Sequence, residues 1–219
     1  MDDVWQDHCE QMLTIRSIFL YLDRSHVLQT PGLQPIWEMG LALFRQQLAQ
    51  QGQQQQQGQG QHDTGMGVGA GVEARVIRGL LDLVERQRNG ESVNVSLLRS
   101  LVRMLASLGL YKLTFLRAFL EDTGRYFAAE GERRMETLDV VGFLRHVEGR
   151  LLGAQEAVVQ YLEPGTRRPL VQTIEGKLLA PHVTALIERG FEPLMDANRC
   201  VVYDNVVCEG GVGWLGFML

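Results

Sequence analysis

From Val4 to Leu28, apolar residues recur at Trp5, Cys9, Met12, Ile15, Phe19 and Leu22, and the stretch holds neither glycine nor proline. That spacing predicts one long helix of about 37 Å, at about 1.5 Å per residue, with a continuous buried stripe. A second stripe, Thr14, Ile18, Tyr21 and Ser25, lies roughly opposite the first. A purely solvated face would carry Glu, Lys and Gln there, so Ile18 and Tyr21 mark either a second packing neighbour or a docking surface. Arg16 and Asp23 fall within the angular range of the first stripe. Either they pair across two turns or with a neighbouring helix, or that stripe is only partly buried, because an unpaired buried charge is too costly.

The same periodicity continues along the chain. QTPGLQP at 29–35 is a turn, and Ile36, Trp37, Met39, Leu41, Leu43, Phe44 and Leu48 define a second helix. A third runs from Val72 to Gln87 and stops at Gly90; a fourth, Ser96 to Leu108, stops at Gly109. Phe115 to Arg134 follows, with Phe115, Phe119, Tyr126 and Phe127 as core. Val140 to Leu162 closes on EPGT at 163–166; Pro169 to His182 and Val183 to Glu188 complete the series, with a kink at Pro181. Nothing reads as strand. Long helices joined by short turns, without a central cofactor motif, predict an all-α fold, an elongated stack of helices of the solenoid kind.

Two stretches depart from this pattern. Residues 46–71 are mostly Gln and Gly, with too little apolar surface to offset ordering, and are expected to be a disordered insertion. No GK[ST] closes the glycine run at 65–71 and no strand precedes it, so it is not a phosphate loop. Residues 200–219, CVVYDNVVCEGGVGWLGFML, lose the helical period and gain β-branched residues and glycines. They are expected to be a divergent tail from a misjoined or truncated gene model, with a genuine strand or a hydrophobic anchor as the alternatives.

Composition narrows the function classes. With 219 residues and 45% hydrophobic content, the chain can bury a real core of one or two domains. A net charge of -5 gives no footprint for nucleic acid, and no apolar run approaches the roughly 18 residues of a membrane span. The acidic N-terminus MDDVWQDHCEQ is not a secretory signal. Cys9, Cys200 and Cys208, an odd count without a short-loop framework, fit a reducing intracellular setting. His8 beside Cys9 lacks a second ligand pair at metal spacing, so no metal or cofactor site is expected. Glu121 with Asp122, and Glu130 with Glu132, are read as solvated helix faces. Arg133–Arg134 and Arg167–Arg168 are too small for a nucleic-acid patch. No GxSxG, HExxH or kinase set is present, and the chain is expected to be non-catalytic.

Five blocks together carry a family likeness. IRSIFLYLDRSHVLQ at 15–29, ERQRNGESV at 85–93, SLLRSLVRMLASLGLYK at 96–112, FLEDTGRYFAAEGERRM at 119–135 and YLEPGTRRPLVQTIEGKLLAPHV at 161–183 resemble the cullins, most of all the fourth type. The likeness spans most of 4–199 and stops near Asn198 and Arg199; the Gln tract has no counterpart in it. It implies stacked five-helix cullin repeats. Residues 1–45 would hold the last helix of a first repeat and the start of the next, and 72–199 the helices that follow the 46–71 insertion. It also implies a scaffold of a nuclear and cytoplasmic ubiquitin ligase, docking a β-propeller substrate-receptor adaptor, with a RING protein held through a carboxy-terminal region this chain lacks. The family's contact positions fall on Tyr21 and Ser25, and Ile18 joins them by geometry. The family's other contact helix lies further toward the amino terminus and is not in this chain, so weak adaptor binding is expected. The competing reading is a free-standing helical-repeat interaction module. Exposure of Ile18, Tyr21 and Ser25 favours docking; burial against a neighbouring helix favours the packing alternative.

Overall fold

The computed structural model describes residues 1–27, 29–50 and 71–196. The expectations for the insertion beyond Gln50 and for the tail fall outside these residues. The described chain is helical: α1 Asp2–Ile18, a single turn α2 Leu20–Leu22, α3 Ile36–Gln50, α4 Val72–Arg88, α5 Val95–Ser107, α6 Leu116–Thr137, α7 Val140–Gln160, α8 Arg167–Ile174 and α9 Val183–Asp196. No strand occurs among the described residues. The chain divides into two compact units, Met1–Phe119 and Leu120–Leu219.

In the first unit the helix ends follow from local chemistry. α4 ends in a Schellman motif: Gly90 takes φ +84, its N–H donates to Gln87 O, and the Glu91 N–H donates to Arg86 O. The Arg86 guanidinium and Glu91 carboxylate close the same turn at 2.7 Å. Asn94 caps α5 by accepting from the Leu97 N–H at 3.1 Å, and Gly109 at φ +69 ends it. Leu80, Val84, Leu98, Met104, Leu105, Tyr111, Phe115 and Phe119 form the core. The rings of Tyr111, Phe115 and Phe119 succeed one another at 5.3 and 5.6 Å, and the Arg88 guanidinium lies over Phe119 at 5.3 Å.

The first helix differs from expectation in two ways. It does not run unbroken from Val4 to Leu28: Phe19 leaves the helix at φ -96, ψ 19, and Asp23–Val27 winds as a π-helical turn. Just before the break, the Thr14 and Ser17 hydroxyls donate back to the carbonyls of Glu10 and Leu13, a competition that bends helices. Nor is the first stripe continuous. Trp5 is buried, with Trp5 and His8 against Phe44 and Met12 against Gly40, where α1 crosses α3 in antiparallel sense. Beyond Gly40, however, α3 has only about one turn left, while the run from Met12 to Val27 has about four. Ile15, Phe19 and Leu22 therefore stay exposed. α3 itself continues to Gln50, through the first residues assigned to the insertion, because Leu48 is buried.

In the second unit α6 approaches its neighbours through glycine. Gly124 and Gly131, seven residues apart, share one face; the first meets Thr173 and Lys177, the second Leu178 and His182. Phe127, Phe143, Val147, Leu170, Ile174 and Leu178 are buried, while Tyr126 is only half-buried. Asp139 caps α7 through the Gly142 N–H at 3.0 Å. The segment read as Pro169–His182 is α8, then a π turn Glu175–Leu179, then a 3-10 turn Ala180–His182 at the expected proline. Glu130 is not solvated. It is 2% exposed, paired with Arg150 and 3.5 Å from His146 Nε2.

Candidate docking face

The segment Leu13–Leu22 reads LTIRSIFLYL. Five apolar residues in succession, Ile18 to Leu22, cannot share one helix face, since successive side chains diverge by about 100°. The structure leaves all five exposed, with Leu13 and Ile15 beside them. Ile18 is 70% and Tyr21 85% exposed, both on the side away from α3. Ser25 lies on the π turn, half-buried, and its hydroxyl donates to Tyr21 O. Thr14, at the other end of the stripe, is exposed. The structure thus brings Ile18 and Tyr21 together on one open surface and ties Ser25 into the backbone below them.

Exposed apolar residues scattered singly need no explanation; a contiguous run of them across the end of α1 and α2 does. Spacing alone singled out Ile18 and Tyr21, passed over Leu13 and Leu20, and placed Phe19 on the buried stripe. The unbroken IFLYL run was the available signal.

Asp23 anchors the back of this face. It is 5% exposed. Its Oδ1 accepts from the Ile36 N–H at 3.0 Å, and Oδ2 stands 3.9 Å from Arg16 Nε. Both halves of the Arg16–Asp23 expectation hold: the two pair across two turns, and the stripe is partly open, with the Arg16 side chain 50% exposed.

Other chemistry is sparse. Burial raises the Cys9 thiol above its ordinary value, away from a reactive thiolate. Among the described residues, no group of three or more His, Cys, Asp or Glu is placed to hold a metal ion, and no helix is long and apolar enough to cross a membrane. An open groove of about 500 Å³ beside α3 is lined by Glu38, Leu41, Ala42, Arg45, Ser107 and Leu108 among others.

Fold and surface define a helical-repeat protein with an open apolar helix face. The chain belongs to the cullin family: the cullin alpha solenoid domain matches residues 1–205, past the Asn198–Arg199 point where the likeness was expected to stop. It is similar to human Cullin-4A, 43% identical over 195 residues, covering 89% of this chain and 23% of that protein. Cullin-4 of Dictyostelium discoideum is 32% identical over 200 residues, 91% of this chain and 23% of that protein. Cullin-3B of Arabidopsis thaliana is 28% identical over 185 residues, 84% of this chain and 23% of that protein. The chain therefore spans under a quarter of the length of these relatives.

Proposed function

We propose that this chain is a non-catalytic scaffold segment of a cullin-RING ubiquitin ligase. It docks a β-propeller substrate-receptor adaptor through the face of Ile18, Tyr21 and Ser25, in ubiquitin-dependent protein degradation in the nucleus and cytoplasm. A RING protein would be held by carboxy-terminal cullin regions, not by these repeats. The observation that carries the reading is the exposure of Ile18 and Tyr21 within a run of exposed apolar residues from the end of α1 through α2, in a chain of cullin descent. Open apolar anchors three residues apart, Ile18 at the end of α1 and Tyr21 in α2, suit an apolar groove on a partner.

Adaptor binding to the immobilised full chain tests it. Tyr21→Ala and Ile18→Asp should each weaken binding by about tenfold or more, as loss of a central anchor does. Both should leave circular dichroism and the melting temperature unchanged, because neither side chain contributes to the core. Variants that bind like wild type, or a wild-type chain with no measurable affinity, would remove the docking assignment.

A further inference from the structure

We infer that Asp23 is the positioning residue of the docking face: by capping α3 from thirteen positions upstream, it fixes which side of the 20–27 turn faces outward. This deepens the docking reading and rests on it for its functional arm.

The argument begins with what α3 lacks. The first four N–H groups of a helix have no intrahelical acceptor, and Asn, Asp, Ser or Thr at the cap normally supplies one. The residue before Ile36 is Pro35, whose side chain has no acceptor. The buried Asp23 carboxylate takes that place, with Oδ1 3.0 Å from the Ile36 nitrogen. A carboxylate there also meets the positive end of the helix dipole. The bond closes the 23–36 span, whose turn bends through Gly32 at φ +92.

The consequence for the surface is rotational. Tyr21 and Asp23 are two residues apart, about 200° around a helix, so the direction that sends Asp23 inward sends Tyr21 outward. Asp23 is 5% and Tyr21 85% exposed. The turn needs such a pin. Phe19 has broken the α-helix just before it, the π winding follows at once, and the neighbouring Ile15, Phe19 and Leu22 add little burial to hold it.

The test compares Asp23→Ala, which removes the acceptor, with Asp23→Asn, which keeps a carbonyl oxygen for the Ile36 N–H. In the full chain without partner, amide exchange at Ile36 and across 20–25 should rise about tenfold in Asp23→Ala, the scale of a lost cap, and little in Asp23→Asn. Adaptor affinity should fall by a similar factor in Asp23→Ala and recover in Asp23→Asn. In a Tyr21→Ala background, Asp23→Ala should cost no further affinity, since its effect passes through Tyr21. Unchanged exchange in Asp23→Ala overturns the inference, as does an affinity loss that persists undiminished in the Tyr21→Ala background. If Asp23→Ala fails to fold, Asp23→Asn decides: wild-type exchange and affinity support the cap, and loss of both overturns it. If the wild-type chain binds no adaptor while the exchange pattern holds, the docking reading fails and the cap stands.

Discussion

Glu130 lies at 2% exposure between α6 and α7, and the groups around it are cationic or titratable: Arg150 pairs with it, His146 Nε2 stands 3.5 Å away, and Arg134 is close enough to act on the imidazole. Removing one partner of a buried pair leaves the others uncompensated, so Glu130→Ala should cost about 3 kcal/mol in urea unfolding; the 26% exposure of Arg150 keeps it at the low end of the usual range. His146 gives this cluster a pH dependence. Burial lowers its pKa below the ordinary 6.5, and Arg150 and Arg134 add to that, outweighing the attraction of Glu130. The unfolded chain then binds the proton more readily than the folded one, so stability rises with pH through the window below 6.5. Acidification from neutral pH should lower the melting temperature, and His146→Gln should flatten that part of the slope. Glu175, whose pKa burial raises, contributes in the opposite sense, favouring the fold at low pH and losing that contribution as pH climbs through its raised value. The difference between His146→Gln and wild type isolates the histidine, and an identical pH profile for the two would exclude it as the source.

At the scale of the element, glycines on two adjacent helices give opposite predictions from the same substitution. A Cβ at Gly149 or Gly153 of α7 meets no neighbour, so alanine there should stabilise by about 0.5–1 kcal/mol through helix propensity. At Gly131 of α6 a Cβ would stand 3.0 Å from His182 Nε2 and 3.4 Å from the Leu178 carbonyl oxygen, which is fixed backbone. Gly131→Ala should therefore destabilise by about 1 kcal/mol despite the same gain in propensity. Urea midpoints for the three variants settle the signs. No sequence pattern separated these glycines, because what differs is the distance to a helix some fifty residues later in the chain. Helix type and most helix ends were readable: Gly90 and Gly109 take the positive φ their positions demanded, and Phe115, Phe119 and Phe127 are core. Periodicity failed where an element outruns its partner. It marked Ile15, Phe19 and Leu22 as buried, but a stripe records only which side faces inward, not whether a helix is there to receive it. Glu130 was misread for the converse reason, since its burial is imposed by Arg150 and His146 of another helix. The tie from Asp23 to Ile36 was equally invisible, a cap displaced thirteen residues from its helix.

Across the whole molecule, charge and apolar surface act against each other. A net charge of -5 opposes contact between copies at low ionic strength, where the Debye length is long. The open run from Leu13 to Leu22 favours contact, and salt screens only the first of these forces. The isolated chain should therefore self-associate more strongly as salt is raised, which sedimentation velocity over a concentration series will read. Phe19→Glu should return the distribution toward monomer at high salt without loss of helix, because Phe19 is 48% exposed and sits at the break between α1 and α2. Saturating adaptor should have the same effect on the wild-type chain if the partner covers Ile18, Tyr21 and their neighbours. Association that weakens with salt would show that charge, not this apolar face, holds the copies together. Association unaltered by Phe19→Glu would place the contact elsewhere on the chain.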